Sequence, residues 1–347
     1  MNGEKVVILC NDSIVDLASE IAQGLTLPLS QIVETRFADT EEKVKISENV
    51  RGHEVFYIHG FKKAPYKTKD EQVYARTVSD ACWELLLVND ALKRADATKV
   101  TNILPDLAYA RGDRKDESRV AIATKLMADV LKATGVSRVM TMDLHADQTQ
   151  ACYDCPFDNL PSEIMLANYI HSQGYRVDTI GAPDFGAANS ADDFAVRLND
   201  LNRSLGGLEV MIIQKKRPKD ENGTPIPNTP HTYKIIGDVE GKHVLFYDDL
   251  IDTAGTLVGA ARSALERGAL SVSAAATHGV FSFYNGTSAE EKLFQDFNGK
   301  PLMDRVIVTN TIHQELYPGK EVVSVADVFA RAIKCAYRGE SVSEVFK

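Results

Sequence analysis

The run Val244-Leu245-Phe246-Tyr247-Asp248-Asp249-Leu250-Ile251-Asp252-Thr253-Ala254-Gly255-Thr256 places acids, hydroxyls and small residues in an order that can do chemistry. Its four leading apolar residues form a buried strand, Val244–Tyr247, with Asp248 and Asp249 at the carboxyl end. A loop of small and hydroxyl residues follows. A helix then begins, with Leu257, Ala260, Ala261, Ala264 and Leu265 at helical spacing. Such a loop aims several backbone N–H groups at one point on the positive end of a helix, where a phosphate binds. Thr253 and Thr256 add hydroxyl donors, and Asp248 and Asp249 stand where sugar hydroxyls or a metal would lie. The unit reads as a site for a ribose 5-phosphate group. An incidental turn rich in Asp and Thr is the weaker reading, because this order is far more specific than a lone glycine motif.

A second constellation is Met142-Asp143-Leu144-His145-Ala146-Asp147-Gln148, with Asp154, Asp158 and Asn159 shortly after. Carboxylates and an imidazole at the end of a strand suit Mg²⁺, which favours oxygen ligands, water and phosphate. His145 alone would be an ordinary structural histidine. With Asp143 before it and Asp154 and Asp158 after it, a metal–polyphosphate site is the stronger reading.

Alternating strands and helices must position these residues. Strands are expected at Val6–Cys10, Val55–His59, Val100–Leu104 and Arg138–Met142, with helices near Asp16–Gln23, Trp83–Arg94 and Arg119–Ala133. The last has Ile122, Leu126 and Val130 on one face and Gly135 just past its end. The alternation restarts with a helix near Ile164–Ser172. It continues through strands at Arg176–Ile180, Val210–Gln214, Val244–Tyr247, Val272–Ala276 and Val306–Thr309, a helix ending at Arg267, and a final helix Val325–Arg338. Repeated βα units imply mainly parallel sheets with helices on both faces. Two such sets suggest two similar α/β domains, the pattern a duplication leaves, although no residue-level repeat is visible. Lys62–Lys69 and the Pro-rich Pro218–Pro230 read as loops, the second as a functional lid or a disordered segment.

Composition sets the outer limits. A chain of 347 residues suggests two domains, and 44% hydrophobic with 25% charged residues is the mix of a globular protein with sizeable cores. The balance of 39 basic against 49 acidic residues, −10, argues against a general nucleic-acid or anionic-membrane binder. No run has the length of a membrane span. The start reads as an immediate strand and not a signal peptide. Five cysteines without a framework pattern point to a reducing cytoplasm, and Cys152-x-x-Cys155 reads as chance spacing.

These motifs resemble those of the ribose-phosphate pyrophosphokinases (PRPP synthetases). The loop after Asp248-Asp249 is shared with phosphoribosyltransferases. The latter do not carry Asp143-Leu144-His145-Ala146 with Asp154 to Asn159, which is similar to D-L-H-A-x-Q…D-x-P-x-D-N. Arg111-Gly112-Asp113-Arg114-Lys115 resembles A-R-Q-D-R-K, and Arg36-Phe37-Ala38-Asp39-Thr40-Glu41 resembles R-F-P-D-G-E. Ala182-Pro183-Asp184 resembles S-P-D, and Lys215-Lys216-Arg217-Pro218 resembles K-R-R-P. Thr277-His278, Val308-Thr309-Asn310-Thr311 and Gly339-Glu340-Ser341-Val342-Ser343 match landmarks near the C-terminus. The resemblance runs in order over nearly the whole chain.

The resemblance implies two phosphoribosyltransferase-like, Rossmann-like domains. They are expected at 1–157, with 325–347 packing on it, and at 158–324. It implies transfer of the β,γ-diphosphate of ATP to the C1 hydroxyl of ribose 5-phosphate, giving PRPP and AMP. Lys215 and Arg217 would be catalytic, touching the transferring group; as solvated surface cations they would have no reason to flank a lid. Phe37, Asp39, Glu41, Arg111, Asp113 and His145 would bind ATP. Asp184, Asp248, Asp249, Asp252, Thr253, Ala254, Gly255 and Thr256 would bind the sugar phosphate. Asp143, His145, Asp154, Asp158 and Asp184 would hold Mg²⁺ directly or through water. The implied partners are ATP and ribose 5-phosphate, with no nucleic acid and no membrane. A cytoplasmic homo-oligomer, dimer or hexamer, is implied because the adenine segment of one subunit completes a neighbour's ATP site.

The departures from the family pattern cluster. Pro becomes Ala38 and Gly becomes Thr40 in the adenine segment, Gln becomes Gly112, and the G-G after S-P-D becomes Gly186-Ala187. K-R-R becomes Lys215-Lys216-Arg217, which keeps charge and loses one planar guanidinium. The lid is longer by roughly seven residues. Phe61–Cys82 replaces the short Q-S-x-x-x-P-x-N-D stretch of a regulatory phosphate or nucleotide site. Two further readings stay open: transfer to a larger acceptor ending in ribose 5-phosphate, such as ADP-ribose, and a non-catalytic regulatory homologue.

Overall fold

The computed structural model describes residues 5–62, 66–67, 73–74, 76–115, 117–201, 207–216 and 232–346. Side chains are described throughout except at 66, 67, 73, 74, 215, 216 and 232. The described chain forms two compact units. One holds residues up to 161 with 310–313 and 324–346; the other holds 162–309 and 314–323.

The first unit contains β1 (Val6–Cys10), α1 (Val15–Leu25), β2 (Leu29–Arg36), β3 (Glu42–Ile46), β4 (Glu54–Ile58) and a two-residue ribbon of β5 (Tyr66–Lys67) and β6 (Val73–Tyr74). It continues with α2 (Val78–Arg94), β7 (Lys99–Ile103), α3 (Ala123–Ala133), β8 (Arg138–Met142) and β9 (Phe157–Leu160). The second contains α4 (Glu163–Ser172), β10 (Thr179–Ala182), α5 (Ala188–Leu201), β11 (Glu209–Lys216), β12 (Thr232–Ile236), β13 (His243–Ile251), α6 (Gly255–Glu266) and β14 (Ser271–Gly279). After these come α7 (Ala289–Leu293), the ribbon β15 (Asp296–Phe297) and β16 (Lys300–Pro301), β17 (Val306–Thr309) and β18 (Lys320–Val323). The chain then returns to the first unit with α8 (Ala326–Arg338).

Each unit has a seven-stranded sheet, in the order β3-β2-β1-β4-β7-β8-β9 and β12-β11-β10-β13-β14-β17-β18. Counted from its own first strand, each reads 3-2-1-4-5-6-7. In each, the second and third strands pair antiparallel and the other neighbours pair parallel. The two similar α/β domains suggested by the βα alternation are therefore seen in the topology as one shared strand order. In both sheets the order reverses between the first and fourth strands, β1/β4 and β10/β13. Ligands of open α/β sheets bind outside the carboxyl ends of strands at such a reversal.

The central strands are nearly continuous apolar runs because helices cover both faces. Phe246, Ala274 and Val308 face one core with α6, while Leu245, Tyr247 and Ala275 face another with α4 and α5. In the first unit α8 packs on α1, where Gly24 admits the Ala330 side chain and accepts a hydrogen bond from Lys334 Nζ at 2.8 Å through its carbonyl.

Several elements differ from the sequence expectation. The helix expected from Arg119 starts at Ala123, because Arg119 adopts a left-handed φ of 67° that an α-helix cannot pass through. α2 starts earlier than Trp83, at Val78, where Thr77 and Asp80 form a capping box. The strand expected at Val244–Tyr247 continues to Ile251, paired with β14. The Asp248-Asp249 pair thus lies inside the strand's last turns of pleat. β2, β3, β9, β12, β18 and α5 were not read from the sequence. Of the two expected loops, Pro218–Pro230 lies outside the described residues, as does most of Lys62–Lys69.

Candidate sugar-phosphate and nucleotide sites

In the second unit the reversal between β10 and β13 carries Asp184 and the run Asp248–Thr256. Asp184 follows β10, and its Oδ1 accepts hydrogen bonds from Gly186 N at 2.8 Å and Ala187 N at 3.3 Å, leading into α5. The Gly at 186 has a packing role here: a Cβ would stand 3.1 Å from that oxygen. Asp248 is half-buried. Burial, then the neighbouring Asp249 and Asp184 carboxylates, push its carboxyl up to about 8. Asp249 N donates to Asp248 Oδ1 at 3.0 Å. The expected sugar and metal acids of this unit are therefore brought together.

Beyond Ile251 the chain turns sharply. Ala254 has a left-handed φ of 59° and leads into α6 with no side-chain cap. A left-handed residue before a helix makes a concave set of N–H groups. Gly255 opens onto free space, since a Cβ there would meet nothing within 4 Å. Asp252, Thr253, Ala254, Gly255 and Thr256 thus line a sharp turn that opens onto the N-terminus of α6, where backbone N–H groups can meet an anion. Behind it, Gly259 is packed so closely that a Cβ would stand 2.2 Å from the Tyr233 hydroxyl. Tyr233 lies opposite Lys215 in the β11–β12 pairing. The Lys215 side chain and Arg217 lie outside the described residues.

In the first unit, residues 111–113 and 143–148 are brought together, because Gln148 Nε2 donates to Asp113 Oδ2 at 3.1 Å. Arg111 is exposed beside them. Gly112 explains one departure from the family pattern: a Cβ would stand 3.0 Å from the Ala123 Cβ at the start of α3. Asp143 has a positive φ of 39° and ends β8, and His145 is exposed in the loop that follows. Asn159 braces this loop, accepting from Leu144 N at 3.1 Å and donating to Asp147 Oδ1 at 3.3 Å.

The expected metal set is not gathered in one place. Asp154 is paired with Lys132 at 2.7 Å and Asp158 with Arg138 at 2.5 Å, so both carboxylates anchor neighbouring elements through these cations. Among the described residues no three His, Cys, Asp or Glu side chains are grouped to hold a metal ion. Mg²⁺ commonly takes only one or two carboxylates and fills its octahedron with water and phosphate oxygens. Asp248, pushed up by burial and by the nearby Asp249 and Asp184 carboxylates, suits such a cation, whose charge would relieve the cost of ionising it. Cys155 has its thiol pushed up by burial, and Cys152 and Cys155 pack against the apolar core, in keeping with chance spacing.

Phe37, Asp39 and Glu41 sit at the tip of the β2–β3 hairpin. Phe37 is 50% exposed. The turn closes by Phe37 N to Glu41 O at 2.8 Å, with Asp39 Oδ1 accepting from Glu41 N at 3.1 Å. Thr40 holds a left-handed φ of 74° where the family pattern has Gly. β2 and β7 are three places apart in the sheet, about 14 Å at ordinary strand spacing, so the hairpin and the Arg111 loop start from separate parts of it.

Sequence reasoning passed over the buried cluster at the reversal of the first unit. Asn11 Nδ2 donates to Glu84 Oε1 at 3.0 Å and to Gly60 O at 3.0 Å, and lies 3.1 Å from His59 Nδ1. The Tyr57 hydroxyl lies 2.9 Å from the same nitrogen. All four side chains are fully buried. The only signal was polar residues at the ends of two apolar strands.

Residues 6–135 match the family model described as the N-terminal domain of ribose phosphate pyrophosphokinase, and residues 214–347 match the phosphoribosyl synthetase-associated domain. The ribose-phosphate pyrophosphokinase of Campylobacter jejuni is 38% identical over 347 residues, covering 100% of both chains. That of Wolinella succinogenes is 40% identical over 332 residues, covering 95% of this chain and 96% of its own. The crystal structure of phosphoribosylpyrophosphate synthetase from Mycobacterium smegmatis superposes with a TM-score of 0.79 at 30% identity, over 97% of this chain and 100% of that one. With both halves matched and the relatives aligned end to end, the chain belongs to the ribose-phosphate pyrophosphokinase family.

Proposed function

We propose that the chain transfers diphosphate from ATP to the C1 hydroxyl of ribose 5-phosphate, giving PRPP and AMP. The observation that carries this reading is the cradle at Asp252–Thr256 beside the crowded acids Asp184, Asp248 and Asp249. The cradle binds the 5-phosphate through N–H groups and the Thr253 and Thr256 hydroxyls. The acids lie on the strand side, where they accept hydrogen bonds from ribose hydroxyls and hold Mg²⁺. The C1 oxygen attacks the β-phosphorus of ATP, the bond from that phosphorus to the α-phosphate bridging oxygen breaks, and AMP leaves with that oxygen. The protein's task in such a transfer is in-line positioning and charge neutralisation. Lys215 and Arg217 supply the cations for the transferring group. Arg111 pairs with ATP phosphates, Asp113 is steadied by Gln148, and Asp143 and His145 present ligands to Mg²⁺ at the end of β8. Bound Mg²⁺ supplies charge neutralisation on the phosphate oxygens.

The exposed Phe37 stacks on adenine, with Asp39 and Glu41 accepting the amino hydrogens. Its separation in the sheet from the Arg111 loop, together with exposed Val33, Val78, Trp83 and Tyr109 in the same unit, supports a homo-oligomer in which a neighbour's hairpin completes the ATP site. Among the described residues no helix is long and apolar enough to cross a membrane. Five cysteines without a framework pattern support a reducing, cytoplasmic setting.

The test is a paired assay with Mg-ATP and either ribose 5-phosphate or ADP-ribose, following AMP and identifying the second product by mass. One PRPP per AMP with ribose 5-phosphate supports the reading. Preference for ADP-ribose assigns the larger acceptor, and AMP from neither assigns a regulatory homologue.

A further inference from the structure

Three successive carbonyls, those of Ile251, Asp252 and Thr253, are held at the entry to the Asp252–Thr256 turn by the segment that leaves β14 and by α7. Ile251 O accepts from Val280 N at 2.9 Å and Phe281 N at 3.1 Å, and Asp252 O from Ser282 N at 3.2 Å. Thr253 O accepts from Lys292 Nζ at 3.4 Å. The carbonyl of one residue and the N–H of the next share a planar peptide and point in opposite directions. Each carbonyl so held turns the N–H of the next residue, 252, 253 or 254, away from its own donor. The first two carbonyls are held by backbone. The third, next to the left-handed Ala254 on which the concavity depends, is held by a side chain.

Lys292 is well placed for this. It lies in α7, half-buried, and its ammonium also reaches Tyr284 O at 3.4 Å. α7 is fixed at its start by the Ser288/Glu291 capping box. It is also tied by the pair of Glu290 with Lys320 at 3.0 Å, whose side chains are 14% and 2% exposed. Lys320 in turn donates to Gln314 Oε1, and Gln314 Nε2 donates to Gly279 O at 2.7 Å. The buried pair thus ties α7 to the end of β14, from which Val280–Ser282 leave.

We propose that Lys292 is a positioning residue for sugar-phosphate binding: its ammonium holds the Thr253 carbonyl so that the Thr253–Ala254 peptide offers its N–H to the 5-phosphate. The proposal rests on the assignment of Asp252–Thr256 as the ribose 5-phosphate cradle. The positive charge also adds to the field that attracts a phosphate dianion.

The test uses the full chain and three variants: Lys292→Met keeps the aliphatic stem, Lys292→Gln keeps a shorter neutral donor, and Lys292→Arg keeps the charge. Calorimetric titration with ribose 5-phosphate reads binding without turnover, and steady-state assays read the two KM values separately. The expected result is about a tenfold rise in Kd and KM for ribose 5-phosphate in Lys292→Met, a smaller rise in Lys292→Gln, recovery in Lys292→Arg, and an unchanged KM for ATP. Unchanged ribose 5-phosphate binding in Lys292→Met, with wild type binding normally, overturns the role of Lys292 alone. Equal changes in both KM values with a matching fall in melting temperature also overturn it, in favour of a purely structural residue. Failure of the wild type to bind ribose 5-phosphate overturns the cradle assignment and this proposal with it.

Discussion

The reversal between β1 and β4 and the reversal between β10 and β13 occupy the same place in the same strand order. In the second unit that place holds Asp184, Asp248 and Asp249, with the Asp248 carboxyl pushed up by burial and by its two neighbours, beside a turn that passes through the left-handed Ala254. In the first it is filled by Asn11, Tyr57, His59 and Glu84, buried and hydrogen-bonded to one another. One strand order therefore supports an open, charged crevice in one unit and a plugged one in the other. The topology supplies a place for a ligand, and the side chains decide whether it is used. In the first unit the residues proposed to meet the ATP phosphates lie instead in the loops after β7 and β8, joined by Gln148 and Asp113, and those proposed to meet adenine lie at the tip between β2 and β3.

The sharpest way to break this comparison is to remove one acid from the open crevice. Asp248→Asn should lower turnover by at least about 100-fold while the fold persists, as loss of a group that acts in the transition state does. Retained turnover would place the chemistry elsewhere. The same variant separates the units by pH. The Asp248 carboxyl is pushed up to about 8, against 3.8 for an ordinary Asp. Between those values the unfolded chain has released a proton that the folded chain keeps. Stability of the unliganded protein should therefore fall as pH rises from about 4 to about 8, and Asp248→Asn should lack that fall. Urea unfolding at about pH 5 and about pH 8 checks this, the variant's advantage being larger at the higher pH.

The plugged crevice should behave in the opposite sense. Glu84→Ala leaves the Asn11 amide short of a buried acceptor and should cost about 2 kcal/mol of stability, with kcat/KM per folded molecule unchanged. A catalytic defect without loss of stability would show that the first crevice is also a working site.

The smallest effect belongs to the hairpin tip. Thr40 is a β-branched residue at φ 74°, a conformation that Gly adopts without strain. Thr40→Gly should gain about 0.5 kcal/mol in chemical denaturation and leave the KM for ribose 5-phosphate unchanged. A loss of stability would mean that contacts of the Thr side chain outweigh the strain.

Much of this was legible in the residues because several signals agreed. Strands such as Val6–Cys10 and Val244–Tyr247 are apolar without interruption, the pattern of strands covered on both faces of a parallel sheet. The strand, turn and helix proposed to hold the phosphate were legible because small residues, hydroxyls and acids fall in order between two apolar runs. β2 and β3 were not, because LSQIVETR and EKVKI hold few apolar residues and form neither a long apolar run nor, in β2, a strict alternation. α5 was hidden by the acids and Asn residues on its outer face, although Ala191, Phe194, Ala195 and Leu198 carry the helical period. The partners of Asp154 and Asp158 were not legible, since Lys132 and Arg138 meet them only when α3, β8 and β9 are folded. Lys292 gave no signal at all. Its role depends on where α7 is pinned, and that is set by Lys320 from another strand.

The most direct test of the two-crevice account is hydrogen–deuterium exchange of the full chain with and without ribose 5-phosphate and Mg²⁺. The account predicts slowed exchange at residues 252–257 and around Asp184, with residues 11–13 and 59–61 unchanged. Protection at 11–13 and 59–61, or none at 252–257, would contradict it.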